Sequence, residues 1–255
     1  MKRTNISLKQ QRLASVLSRK DVWTGSRSAT PVTDTQASGW DALDRLLLGK
    51  GWPRSELVEI CHAGTASGVA ASSLASWQLL LPCLQALQQQ PGYFFLLNPP
   101  MLPYLPGLRQ QGIDCSRLLV VSVDRVDAWL ASWIDILDSG SCTALLAWQP
   151  GSRLRYAQLR KMQLAASRNS SFTWLLRDRA SLKANTPAAL RLQVQPQHAA
   201  LQVRIEKQRG TYRLGRADLP WPGYLQADRL QRLQNSTPAG ESAAGGLLQF
   251  PGRRP

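Results

Sequence analysis

A nucleotide is held by a strand–loop–helix unit of pattern G-x-x-x-x-G-K-[ST]. Its glycines bring backbone N–H groups onto the phosphates, its lysine reaches the β and γ oxygens, and its hydroxyl binds magnesium. Ala63-Gly64-Thr65-Ala66-Ser67-Gly68-Val69-Ala70 keeps that spacing and lacks that chemistry. Ala63 stands at the first glycine and Gly68 at the second, while Val69 replaces the lysine and Ala70 the hydroxyl. The apolar run Glu56-Leu57-Val58-Glu59-Ile60 predicts a buried strand before the loop, and the residues beyond Ala70 predict a helix after it. The context is that of a phosphate loop without the side chains that would neutralise a phosphate. No cofactor and no enzymatic activity are therefore expected. Backbone N–H groups at the helix N-terminus are the one remaining route to weak nucleotide binding.

The other reactive side chains do not gather. His62 and His198 have no G-x-S-x-G or Cys–His context for nucleophilic catalysis. Cys61, Cys83, Cys115 and Cys142 stand singly, without a C-x-x-C pair, so Cys61-His62 predicts core packing rather than a metal site. Reduced thiols in a reducing compartment are expected. Met1-Lys2-Arg3-Thr4-Asn5 leads into no apolar run of leader type, and no run approaches transmembrane length. A cytoplasmic chain without membrane association is the expectation.

The basic residues carry more information. The chain has 31 Lys and Arg against 16 Asp and Glu, a formal net charge of +15. That balance favours polyanions or acidic protein surfaces as partners, although a generally Arg-rich proteome produces it too. Residues 153–168 predict a helix in which Tyr156, Leu159, Met162 and Ala166 form an apolar stripe. Arg153, Arg160, Lys161 and Arg168 fall opposite it, either as a solvated face or as a contact for phosphates, DNA or an acidic partner. Residues 1–20 mix six basic residues with Ile6, Leu8, Leu13, Val16 and Leu17 and predict a short basic amphipathic helix. Residues 224–233 predict another, with Leu225, Leu230 and Leu233 on one side and Arg229 and Arg232 at its rim. Such a helix suits a groove in a partner, or docks back on its own core.

These elements need a scaffold, and 255 residues with 44% hydrophobic content can bury one sizeable core. Residues 24–38 are rich in Ser, Thr, Gly and Pro and read as a linker. After the loop unit, apolar runs near residues 93–97, 118–123, 143–147 and 172–176 predict strands separated by helical stretches. Trp129 and Trp133 lie on one of these helices and are expected in the core. Strands alternating with helices imply a mostly parallel sheet covered on both faces, an α/β fold. Residues 189–195 and 201–208 alternate polar with apolar and predict an antiparallel pair. After Gly210 the pattern decays into Pro, Gly and Ser. The expected organisation is a basic arm and linker over 1–35, a core over 36–210 and a tail over 211–255.

Over about residues 36–210 this order resembles the RecA-like ATPase core, with N-terminal and C-terminal extensions. Gly39-Trp40-Asp41-Ala42-Leu43-Asp44 and Gly49-Lys50-Gly51-Trp52-Pro53 match its lead-in to the phosphate loop. The chain is more closely similar to the ImuA family, accessory proteins of SOS-induced mutagenic translesion DNA synthesis. The segments that carry this are Asp21-Val22-Trp23-Thr24-Gly25, Gly51-Trp52-Pro53-Arg54, Leu79-Leu80-Leu81-Pro82, Pro99-Pro100-Met101-Leu102-Pro103-Tyr104 and Cys115-Ser116-Arg117-Leu118-Leu119-Val120-Val121. Arg204-Ile205-Glu206-Lys207-Gln208-Arg209-Gly210 extends the likeness past the core. The resemblance implies a non-catalytic adaptor whose partners are an ImuB-like polymerase subunit and, for some members, RecA. SulA-type inhibitors of the tubulin-like division protein resemble only residues 74–185 and give the alternative function. A RecA-like ATPase also places an acid at the end of its fourth strand, yet here Trp148 follows Ala147. No Asp or Glu occurs between Ser139 and Arg177. Asp178 is expected at the surface or in a cap, and Glu59 in an ion pair or at an edge.

Overall fold

Short apolar runs become strands and amphipathic stretches become the helices that cover them. The computed structural model describes residues 34–62, 68–151, 153–197, 199–212 and 214–221. The predicted N-terminal helix, loop residues 63–67 and the tail helix with Leu225, Arg229, Leu230, Arg232 and Leu233 lie outside the described residues. In chain order the elements are β1 (Thr35–Gln36), α1 (Asp41–Asp44), β2 (Trp52–Pro53), β3 (Leu57–His62), α2 (Gly68–Leu87), β4 (Tyr93–Leu97), α3 (Leu105–Gln110) and β5 (Leu118–Val121). Then follow α4 (Val126–Asp138), β6 (Cys142–Trp148), α5 (Tyr156–Arg168), β7 (Phe172–Asp178), β8 (Leu190–Pro196), β9 (Ala200–Gln208) and β10 (Arg216–Pro220).

Eight strands form one sheet in the order β10-β9-β8-β3-β7-β6-β4-β5. The six strands from β8 to β5 are mutually parallel, and β9 runs antiparallel to both β8 and β10. The fold is α/β, a mostly parallel mixed sheet covered by helices. Side chains alternate across each strand, so β3 serves both layers. Val58 and Ile60 pack with Leu79, Leu80 and Leu84 of α2, while Leu57 packs with Trp129, Trp133, Leu159 and Met162 of α4 and α5. Trp129 and Trp133 are fully buried with ring centroids 6.1 Å apart, as core residues rather than base-stacking ones.

Three boundaries differ from the sequence expectation. Helix α5 begins at Tyr156, so Arg153 precedes the helix instead of lying on its face. Leu154 is buried ahead of the first turn, and the Arg155 backbone N–H donates to Gln158 Oε1 at 2.8 Å, which fixes the start. Tyr156 is consequently exposed and stands outside the apolar stripe. The helical stretch expected between the strands near 93–97 and 118–123 shrinks to the six residues of α3. Beyond Gly210 the sheet continues, because Ala217 and Leu219 alternate with polar residues and bury one face of β10 against the core. A five-residue strand with two apolar positions is a weak periodic signal.

The outer strands are covered on one side only. Leu192, Val194, Leu201, Val203 and Ile205 face the α2 layer. Their neighbours Gln193, Gln195, Gln202 and Arg204 leave the opposite face polar, the usual alternation of an antiparallel flange. At the other end, edge strand β5 presents exposed Leu119 and Val120.

A local device joins the lead-in segment to α2. Pro82 lies inside α2 and withdraws one N–H from its hydrogen-bond ladder. The indole N–H of Trp40 donates to the Leu79 carbonyl at 3.1 Å in the same stretch. Gly39 sits at φ +81°, and a Cβ there would fall 2.3 Å from Cβ of Pro82. Gly39→Ala is expected to cost about 1–3 kcal/mol through backbone strain and this clash. Trp40→Phe, which removes one hydrogen bond, should cost about 1 kcal/mol. Urea unfolding of the two variants gives both values and their order.

Candidate functional site

The unit predicted to be a spent phosphate loop lies at the carboxyl edge of the sheet. β3 ends at His62, residues 63–67 follow, and Gly68, Val69 and Ala70 stand in the first turn of α2. Two buried side chains tie this strand to this helix. Ser76 Oγ and His62 Nε2 are 2.9 Å apart, and His62 Nδ1 has no partner among the described residues. Burial lowers the His62 pKa from 6.5 to about 4, so the ring is neutral near pH 7. The neighbouring Cys61 thiol is pushed up to about 12, chiefly by burial and then by the charge of Glu59. It is a packed, unreactive thiol at neutral pH.

Glu59, in the middle of β3, is the acid nearest the loop unit in sequence. It is fully buried, and both of its oxygens are occupied. Arg177 Nη1 donates to Oε1 at 2.9 Å, Thr186 Oγ1 donates to the same oxygen at 2.9 Å, and Arg191 Nε donates to Oε2 at 2.6 Å. Strand register brings the three charges together, since Glu59 pairs with Arg191 on β8 and with Leu175, two residues before Arg177, on β7. Gln149, just past β6, accepts from Arg177 Nε at 2.7 Å. Arg191 Nη1 donates to the Ala184 carbonyl at 2.7 Å in the crossover between β7 and β8. The cluster holds two guanidiniums for one carboxylate. Among the described residues, Nη2 of each arginine has no acceptor.

This arrangement cross-links three central strands and the crossover, and it commits both oxygens of Glu59 to buried donors. Asp178 is both at the surface and a cap, as expected. Its Oδ1 accepts from the Ser181 backbone N–H at 3.1 Å and from the Ser181 hydroxyl at 2.8 Å. No three of the described His, Cys, Asp and Glu side chains gather where a metal ion could be held.

The predicted basic residues are exposed but do not converge on one point. Arg153 sits in the loop before α5, and Arg160, Lys161 and Arg168 follow along the helix. Arg160, exposed Leu164 and Arg168 share a line at spacings of four. Arg168 also reaches a cavity of about 360 Å³ with Arg54 and Asn169, near the strand starts at Cys142 and Ser171. The buried face of α5 carries a polar residue that sequence reasoning passed over. Gln163 Oε1 accepts from the Leu57 N–H at 3.1 Å, and its amide donates to Glu56, anchoring the helix to the start of β3.

Arg177 and Arg191 also went unread in the sequence. Their signal was weak, since Arg177 ends an apolar run beside Asp178 and Arg191 is the one charge of a strand that alternates apolar with polar. No described helix is long and apolar enough to cross a membrane. No protein-family model matches this chain, and no curated protein matches it.

Glu59→Gln leaves two buried guanidiniums against a neutral amide and is expected to cost about 3–5 kcal/mol, against no more than about 0.5 kcal/mol for Glu206→Gln on the half-exposed pair with Arg204. Chemical denaturation of both variants tests this. His62 has a second consequence. Its folded pKa of about 4 lies below the unfolded value of 6.5. The unfolded state therefore binds more protons, and stability falls as pH drops through that interval, by roughly 3 kcal/mol in full. His62→Gln should flatten this part of the pH–stability curve between pH 6.5 and 4, measured relative to wild type.

Proposed function

We propose that this chain is a non-catalytic adaptor of RecA-like fold, acting in SOS-induced mutagenic translesion DNA synthesis in the manner of the ImuA family. Its partners would be an ImuB-like polymerase subunit and RecA. The observation that carries the reading is the pairing of a phosphate-loop scaffold with the loss of every side chain a nucleotide needs. β3 is interior to the mixed sheet and hands over to α2 at its carboxyl edge, the usual position for a nucleotide in open α/β sheets. Val69 and Ala70 stand where the lysine and hydroxyl would be, Trp148 ends the fourth strand of the sheet, and Glu59 is consumed by two arginines. Phosphoryl transfer depends on positioning and charge neutralisation, and the loss of the lysine and hydroxyl from the sequence pattern supports a non-catalytic reading.

An adaptor needs surfaces more than a site. Exposed Met101, Leu102 and Tyr104 lie within one of the segments that carry the ImuA resemblance, and Leu119 and Val120 lie within another. Among the described residues, these and the basic line on α5 are surfaces for partners, and the basic ones for DNA. A cytoplasmic location fits this role.

The test is binding of immobilised full-length chain to RecA, with and without single-stranded DNA, and to an ImuB-like subunit. A companion form should end after Trp221, because a cut at residue 210 would delete β10. Binding to either partner without ATP turnover supports the adaptor, and loss on truncation assigns the interface to the last segment. Failure to bind both partners, together with filamentous cells on overexpression, would move the assignment to a SulA-type division inhibitor.

A further inference from the structure

Beside the Glu59 cluster, the polar face of the outer strands carries a cavity of about 600 Å³. Arg191 and Lys207 line it from β8 and β9, Lys183 from the crossover, and Tyr156 from the start of α5. Arg191 is the informative residue, because its side chain is only 6% exposed. Nε is committed to Glu59 and Nη1 to the Ala184 carbonyl, while Nη2 has no acceptor among the described residues. A buried, unpartnered N–H on a cation is costly, and such groups in folded proteins call for an explanation.

The neighbours add to the positive surplus. Lys207 gives one N–H to the Thr186 carbonyl at 2.7 Å, and an ammonium group carries three. Its pKa is lowered first by burial, then by the like charges of Arg209 and Arg191. Glu206, the one acid on the cavity wall, is 3.2 Å from Arg204 Nε. Glu59 is shared with Arg177 and so leaves Arg191 incompletely neutralised.

We propose that this cavity binds a phosphate-type oxyanion, held by Lys207 and Lys183, with the buried charge of Arg191 behind them. A phosphate group presents more oxygens than a carboxylate and can engage the Tyr156 hydroxyl as well as the cations. The ligand is a free phosphate or a phosphodiester of nucleic acid, which share this chemistry. The site lies away from the degenerate loop and is independent of the adaptor role, so either can fail alone.

The experiment uses the full-length chain and its Lys183→Met/Lys207→Met double variant, with Arg109→Met on α3 as a control. Inorganic phosphate is titrated against sodium chloride at matched ionic strength, with melting temperature as the readout. A fluorescent single-stranded oligonucleotide is titrated in parallel. Wild type and control should show a saturable, phosphate-specific rise, and the double variant should weaken it about tenfold or more. A tenfold loss for phosphate alone identifies a free-ion site, and a loss extending to the oligonucleotide identifies a phosphodiester site. Should the double variant melt abnormally without phosphate, exposed Lys183→Met alone is read, with a smaller loss expected. No phosphate-specific rise in wild type, or unchanged binding of both probes by the variants, overturns the proposal.

Discussion

One carboxylate, Glu59, sits at zero exposure in the middle of the sheet and must be kept charged there. The penalty for moving an ion from water to a protein interior is several kcal/mol after relaxation, and only close, hydrogen-bonded counter-charges offset it. Here the counter-charges come from two other strands, and a hydroxyl from the crossover adds a third donor. The requirement fixes much else. β3 must lie between β7 and β8, the register must put Glu59 beside Arg191, and the crossover must fold back over the sheet far enough for Thr186 and Ala184 to reach the cluster.

The same cluster commits Glu59, and the acid at the carboxyl edge beside His62, Asp178, is engaged by Ser181. A phosphate loop works by convergence of backbone N–H groups, a mobile cation and a metal-held carboxylate on one point. In this chain the groups near the loop have turned inward. His62 reaches the α2 hydroxyl of Ser76, Glu59 reaches the arginines, and Asp178 caps its own short turn. These three described side chains serve cohesion.

Much of this was legible in the residues. Continuous apolar runs such as Tyr93-Phe94-Phe95-Leu96-Leu97 pointed to buried parallel strands and the alternation after residue 189 to an antiparallel pair, so the α/β class was legible while the strand order was not. Trp129 and Trp133 were placed correctly because a spacing of four puts them on one helix face. The failures have a shared cause. Helix α5 starts late because buried Leu154 and the Gln158 side chain set its first turn, and neither is visible as periodicity. β10 hides because two apolar residues cannot outweigh the glycines and prolines around them. Glu59, Arg177 and Arg191 lie on three different strands, and their meaning exists only once the sheet register places them together. Long-range pairing of charges is what a single sequence conceals best.

The half-covered flange has a consequence for how the molecule comes apart. Strands β9 and β10 are held by their hydrogen bonds and by one buried face, whereas β8 carries Arg191, half of the counter-charge for Glu59. Peeling β10 and then β9 away exposes mainly polar side chains on the open side and apolar ones on the other. Peeling β8 strands an ion in the interior. The boundary between β9 and β8 is therefore where gradual fraying turns into a cooperative event, and amide protons should divide there into a fast-exchanging rim and a slow-exchanging centre. The sheet is continuous in hydrogen bonds and discontinuous in energy, with the step set by a single arginine.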